Sequence, residues 1–175
     1  MATPNKRVYW DACVWIALIQ REKISLPTGG IEDRETMCRM VIEAAKKGNL
    51  EILTSTFCLV EVCKAPTSKK TTSDKLAEFF ENDYILITNL DRMVAERGRE
   101  LMIAYGSLKP PDAVHIATAA VSPGVEEMHT FDDRLLKLDG LIDKADGTNL
   151  KICKPDAGAP PAPLLEAARG GKEKT

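Results

Sequence analysis

Aromatic residues make up only 5% of this 175-residue chain, so stacked rings cannot build its core and aliphatic side chains with alanine must do so. An excess of one charge is also missing. The 24 basic and 26 acidic residues leave a net charge of -2 and a pI near 5.8. That balance excludes a general polycation coating nucleic acid, though not a local basic groove. Long apolar runs are absent too: the stretch from Val8 to Ile19 is cut by Asp11 and is too short to span a bilayer. With no basic start, central apolar run and small-residue cleavage site, the N-terminus does not read as a signal peptide, and the expected location is cytoplasmic. The five cysteines, at 13, 38, 58, 63 and 153, are odd in number and form no Cys-x-x-Cys pair. Zinc-knuckle and dithiol motifs are thereby excluded, and the thiols read as small packing residues in a reducing compartment. Gly29-Gly30 is followed by no Gly-Lys-Ser/Thr, so there is no phosphate-binding P-loop.

What is present is an alternation of strand and helix signals over a length suited to one domain. Val8–Trp10 reads as a buried strand, followed by a helix or helical turn through Ile19. Residues 22–31, with Pro27, Gly29 and Gly30, read as a loop. A helix from Asp33 carries Met37, Cys38, Val41, Ile42 and Ala45 at helical spacing and stops at Gly48-Asn49. Strands are predicted at Leu50–Leu53, at Asp83–Thr88, at Glu127–Thr130 and at Asn149–Cys153. Thr54-Ser55-Thr56 caps a helix carrying Glu61 that ends at Pro66, and Ser73 caps another with Leu76, Phe79 and Phe80 inward. Asn89 caps a helix through about Tyr105, and a further helix begins at Asp112 after Pro110-Pro111. The fold class is therefore α/β, one domain over 1–153, with a mainly parallel sheet of four to five strands flanked by helices. From residue 154 the chain turns rich in Pro, Ala and Gly and reads as a flexible C-terminal extension over 154–175.

Four carboxylates stand in apolar surroundings: Asp11, Glu61, Asp112 and Asp132. An ionised carboxylate is costly to enclose unless it is paired or metal-bound. No matching set of apolar-embedded cations accompanies these four, which points to a divalent-metal site. Magnesium and manganese prefer oxygen ligands arriving from several directions, as acids on separate elements provide. Such ions polarise a phosphoryl oxygen and activate water, and two ions about 3.5–4 Å apart hold both ends of an in-line displacement.

In sequence these segments resemble the ordered acidic motifs of PIN-domain nucleases, closest to the VapC-type bacterial toxins. The segments are Val8-Tyr9-Trp10-Asp11-Ala12-Cys13, Thr54 to Val62 around Glu61, Pro110 to Ala119 around Asp112, and His129-Thr130-Phe131-Asp132-Asp133-Arg134. The likeness covers roughly residues 6–153 and implies a Mg²⁺- or Mn²⁺-dependent endoribonuclease that leaves a 5′-phosphate and a 3′-hydroxyl. It further implies an RNA substrate, a cognate antitoxin and a homodimer. Asp11, Glu61, Asp112 and Asp132 become the catalytic and metal-holding acids, with Thr130 placed to hydrogen-bond a carboxylate or a metal-bound water. Ala12 departs from the family, where Thr or Ser is common. Asp133 adjoins Asp132, and the Thr-x-Asp spacing favours Asp132 as the acid facing the metal.

Each residue has a plainer reading. Asp11 and Asp132 would cap the helices after them, Asp112 would favour a helix N-terminus by about 0.3–1 kcal/mol, and Glu61 would lie on an exposed helix face. His115, on nearly the same face as Asp112, is within reach of the site or of the residues behind it, but it and His129 read more simply as packed histidines outside the metal set. Lys64, Lys69, Lys70 and Lys75, and Arg92, Arg97 and Arg99, read equally as solvated charge or as an RNA-flanking surface. The alternative function is a non-catalytic RNA- or protein-binding module of the same fold, for which Ala12 is the support. A phospho-receiver or haloacid-dehalogenase-like phosphatase does not fit: position 13 is Cys where the latter needs the second Asp of Asp-x-Asp.

Overall fold

The computed structural model describes residues 6–62 and 79–158. β1 (Lys6–Trp10) is followed by α1 (Ala12–Gln20), β2 (Lys23–Ser25), β3 (Ile31–Asp33), α2 (Arg34–Lys46), β4 (Leu50–Ser55) and α3 (Thr56–Val62). Then come β5 (Ile85–Thr88), α4 (Arg92–Ala104), α5 (Pro110–Val121), β6 (Val125–His129), α6 (Asp133–Leu136), β7 (Ile142–Asp143) and β8 (Asn149–Cys153). The main sheet has the order β5-β4-β1-β6-β8-β7. Its first five strands run parallel, as the strand–helix alternation predicts, and the two-residue β7 adds an antiparallel edge.

β1 lies near the middle of the sheet, and its Val8, Tyr9 and Trp10 are fully enclosed because helices cover both faces. Val8 and Trp10 join Trp15, Cys38, Val41 and Ile42 from α1 and α2 in one core layer. Tyr9 points the other way and joins Val94, Leu101, Ile116 and Met128 under α4 and α5. The scarce aromatics gather in the first layer, where Trp15 meets Trp10 at 4.7 Å and Phe80 at 5.1 Å between ring centroids.

Local capping explains most helix boundaries. Asp11 accepts from Val14 N–H, Asp33 from Thr36 N–H, and Ser55 Oγ from Cys58 N–H. α4 is capped by Asp91, two residues later than expected, because its carboxylate reaches Val94 N–H at 3.0 Å. α5 starts at Pro110, two residues earlier than expected, since proline's fixed φ suits a first helical turn that has no use for its N–H.

The reading of 22–31 as a loop needs correction. β2 and β3 pair antiparallel as a short hairpin, with Pro27, Gly29 and Gly30 forming only its tip. Arg34, just after it, pairs with Glu22 and Glu32 and stacks 4.6 Å over the ring of Phe131. The hairpin thus braces the loop that carries Thr130 and Asp132. Residues 154–158 also contact the domain: Lys154 pairs with Glu32, Pro155 is buried, and Ala157 packs on the first core layer. The helix end expected at Pro66, the cap at Ser73, the basic run from Lys64 to Lys75, and the chain after 158 lie outside the described residues. Among the described residues no helix is long and apolar enough to cross a membrane.

Candidate active site

The chain builds β1, β4 and β5 outward on one side, then returns to lay β6 on the other side of β1. The carboxyl ends of β1 and β6 therefore border the crevice where the winding direction reverses, which is where open parallel sheets place their ligands. Asp11 follows β1 directly, and Thr130 and Asp132 follow β6. Glu61 on α3 and Asp112 in the first turn of α5 close the other sides. All four sequence-predicted acids line one cavity of about 500 Å³, together with Ala12, Cys13 and His115. Asp132, not the exposed Asp133, is the one that faces it.

Asp11 is 3% exposed. Burial pushes its pKa up, against the pull of His115 and of hydrogen bonds from Cys13, Thr130 and Val14. The Cys13 thiol donates to Asp11 Oδ1 at 2.9 Å and also lies 3.4 Å from Thr130 Oγ1. A donor from position 13 thus serves the acid beside Ala12, which has no hydroxyl to offer. Thr130 Oγ1 accepts from Asp132 N–H at 3.0 Å within the loop after β6, and its contact with Cys13 ties that loop to the one carrying Asp11.

Glu61 is fixed by a residue that sequence reading left out. His115 Nε2 meets Glu61 Oε2 at 2.5 Å, and its Nδ1 meets the buried Tyr9 hydroxyl at 2.7 Å. His115 is buried, so Tyr9, His115 and Glu61 form one file leading from the core to the cavity. The only sequence signal was that His115 shares a helix face with Asp112. Arg134 was missed altogether. Its guanidinium grips Asp132 at 2.5 and 3.1 Å and reaches Asp112 at 3.3 Å. This hydrogen bonding holds the Asp132 carboxyl below the usual range. Asp132 also caps α6 through Arg134 N–H at 2.8 Å, as its plainer reading expected.

Among the described residues, Arg134 is the one Lys or Arg within 4 Å of any of the four carboxylates. Four acids facing one guanidinium leave a surplus of negative charge around oxygen donors, which suits a hard divalent cation. Among the described residues, the tightest group of possible ligands lies elsewhere: Glu127, His129 and Cys153, whose ligand atoms fall within 4.8 Å of one another. Their hydrogen bonds are those of a structural cluster. Trp10 Nε1–H donates to His129 Nδ1, so the neutral ring carries its proton on Nε2, facing Glu127 at 3.3 Å. Nε2 therefore has no lone pair for a metal, and Lys6 and Lys151 already neutralise Glu127. A larger groove of about 740 Å³, beside α2 and residues 157–158, reaches Leu50 at the opposite ends of the strands and holds none of the four acids.

Four acids from separate elements thus wall the switch crevice of a parallel α/β domain. The sequence matches the PIN domain family over residues 8–141, and the chain belongs to that family. Its fold is similar to that of VapC20 of Mycobacterium tuberculosis, a sarcin-ricin loop cleaving toxin. The TM-score is 0.54 at 15% identity, covering 72% of this chain and 90% of that one. No curated protein matches the sequence significantly.

Proposed function

We propose that this chain is a divalent-metal-dependent endoribonuclease, a VapC-like toxin that hydrolyses RNA phosphodiester bonds in the cytoplasm and is restrained by an antitoxin. One observation carries the reading: acids from four separate elements, Asp11, Glu61, Asp112 and Asp132, open into a single cavity at the switch crevice. These four carboxylates would hold Mg²⁺ or Mn²⁺. When bound, such an ion supplies polarisation of the phosphoryl oxygen and acidification of the attacking water.

The chain's own residues do the rest. His115, anchored on Tyr9, keeps Glu61 turned into the cavity. Hydrogen bonds from Cys13, Val14 and Thr130 offset part of the desolvation that raises the pKa of the buried Asp11. Arg134 neutralises part of the charge on Asp112 and Asp132, which lowers the repulsion met by an incoming phosphodiester. The non-catalytic alternative rested on Ala12, and the Cys13 donor to Asp11 weakens that support.

The test is cleavage of a mixed structured-RNA pool with Mg²⁺ or Mn²⁺, beside EDTA and Asp112→Asn controls. Metal-dependent cutting that disappears in the variant is expected. Equal cutting by wild type and Asp112→Asn would overturn the site assignment, and no cutting by folded, metal-bound protein on any RNA would favour the binding module.

A further inference from the structure

A second cavity, of about 350 Å³, adjoins the acid cavity and shares Asp112 and Leu135 with it. Its remaining wall includes Tyr105, Ser107, Arg134 and Lys137. We propose that this cavity is the subsite for the unpaired nucleotide next to the bond being cut, with Arg134 and Lys137 on its phosphate; this rests on the nuclease reading above.

The charge distribution motivates it. A cavity of four carboxylates repels a polyanion, so a strand threaded past it must be held by cations alongside. Arg134 sits on the boundary between the two cavities, half exposed, with Asp112 and Asp132 on one side. Its Nε and Nη2 hold those acids, which leaves, among the described residues, the Nη1 donors of the fork for a phosphate. Lys137 is exposed, and among the described residues it pairs with no carboxylate. The cavity also offers a surface for a base. Tyr105 is half-buried, and its hydroxyl donates to the Leu141 carbonyl at 3.1 Å, which fixes the ring in place. Ser107 adds a hydroxyl within the same wall. Cations that track a backbone beside an aromatic face are the combination that single strands bind. Base-paired RNA presents its bases stacked and inward, so a cleft of this size selects for a base already splayed out.

The experiment is fluorescence anisotropy of a labelled single-stranded oligoribonucleotide with the full chain in EDTA, measured over a series of salt concentrations. Lys137→Ala and Arg134→Ala are each expected to weaken binding several-fold and to reduce the slope of log K against log salt by about 0.7, the value for one single-strand phosphate contact. Tyr105→Leu should weaken binding while leaving the slope unchanged, which separates stacking from charge. Lys46→Ala, on α2, should change neither. If wild type cuts RNA but the Lys137 and Arg134 variants keep its affinity and slope, the subsite is overturned and the nuclease reading stands. If wild type neither binds nor cuts any RNA, the nuclease reading falls and takes the subsite with it.

Discussion

Asp11→Asn should make the metal-free protein more stable. Asp11 is 3% exposed and no Lys or Arg among the described residues pairs with it within 4 Å. Enclosing a carboxylate carries a penalty of several kcal/mol after relaxation. Hydrogen bonds to a charged acceptor return roughly 1.5–3 kcal/mol each, and here the Val14 N–H and the weaker Cys13 S–H are directed at Oδ1. Asparagine keeps an oxygen for both donors and caps helices as well as aspartate does, so the substitution removes the charge and little else. A net gain on the order of 1–2 kcal/mol is expected. For a domain of this size that raises Tm by roughly 2–8 °C. The assay is a thermal melt of both proteins in EDTA and again with excess Mn²⁺. Added metal should raise the wild-type Tm by mass action and the variant's by much less. A variant that melts at or below wild type in EDTA would refute the argument that the charge is uncompensated. One that gains as much from Mn²⁺ would refute the role of Asp11 as a ligand.

Two further outcomes follow from groups outside the acid cavity. Burial pushes the His129 pKa below its usual value, so the folded ring stays neutral while the unfolded ring takes up a proton as pH falls through about 6.5. Its stabilising contribution is therefore present above that pH and is lost on acidification toward the depressed folded pKa. His129→Gln should flatten the loss of stability measured by urea unfolding between pH 7 and 5, and an unchanged slope would count against it. Thr54 Oγ1 accepts from Trp15 Nε1–H at 3.2 Å and donates to the Trp10 carbonyl at 3.0 Å. Thr54→Val keeps the shape but strands a buried indole N–H, so a loss of about 1–3 kcal/mol is expected by the same unfolding assay, and a variant as stable as wild type would show that the indole finds another acceptor.

Period and composition made the parallel sheet and the four acids legible, because acids enclosed by Val, Ile, Leu and Ala contradict the ordinary surface pattern. The β2–β3 hairpin was not legible. Lys23-Ile24-Ser25 and Ile31-Glu32-Asp33 are short and mostly polar, and Pro27, Gly29 and Gly30 between them signal a loop whether or not strands flank it. The helix starts moved by two residues where a neighbouring carboxylate, Asp91, or a proline, Pro110, competed for the cap. His115 was seen on the right face of its helix, but its partner Glu61 lies 54 residues away, a pairing that only the three-dimensional fold supplies. Arg134 carried no reading of its own, since nothing local distinguishes a guanidinium that bridges two acids from one in solvent.

The strand order also sets a timetable for synthesis. β1 is made first yet lies inside the sheet, and it waits for β4 on one side and, much later, for β6 on the other. Contacts of such long sequence separation form slowly. Until β6 arrives, Asp11 borders an open strand edge with no facing loop, and the crevice lacks the wall that carries Asp132. A chain ending before residue 125 has no β6 and no Asp132 loop, and so lacks the complete cavity. Whatever chemistry the acids perform is thus withheld until almost the whole domain has left the ribosome, a delay written into the topology that requires no second protein.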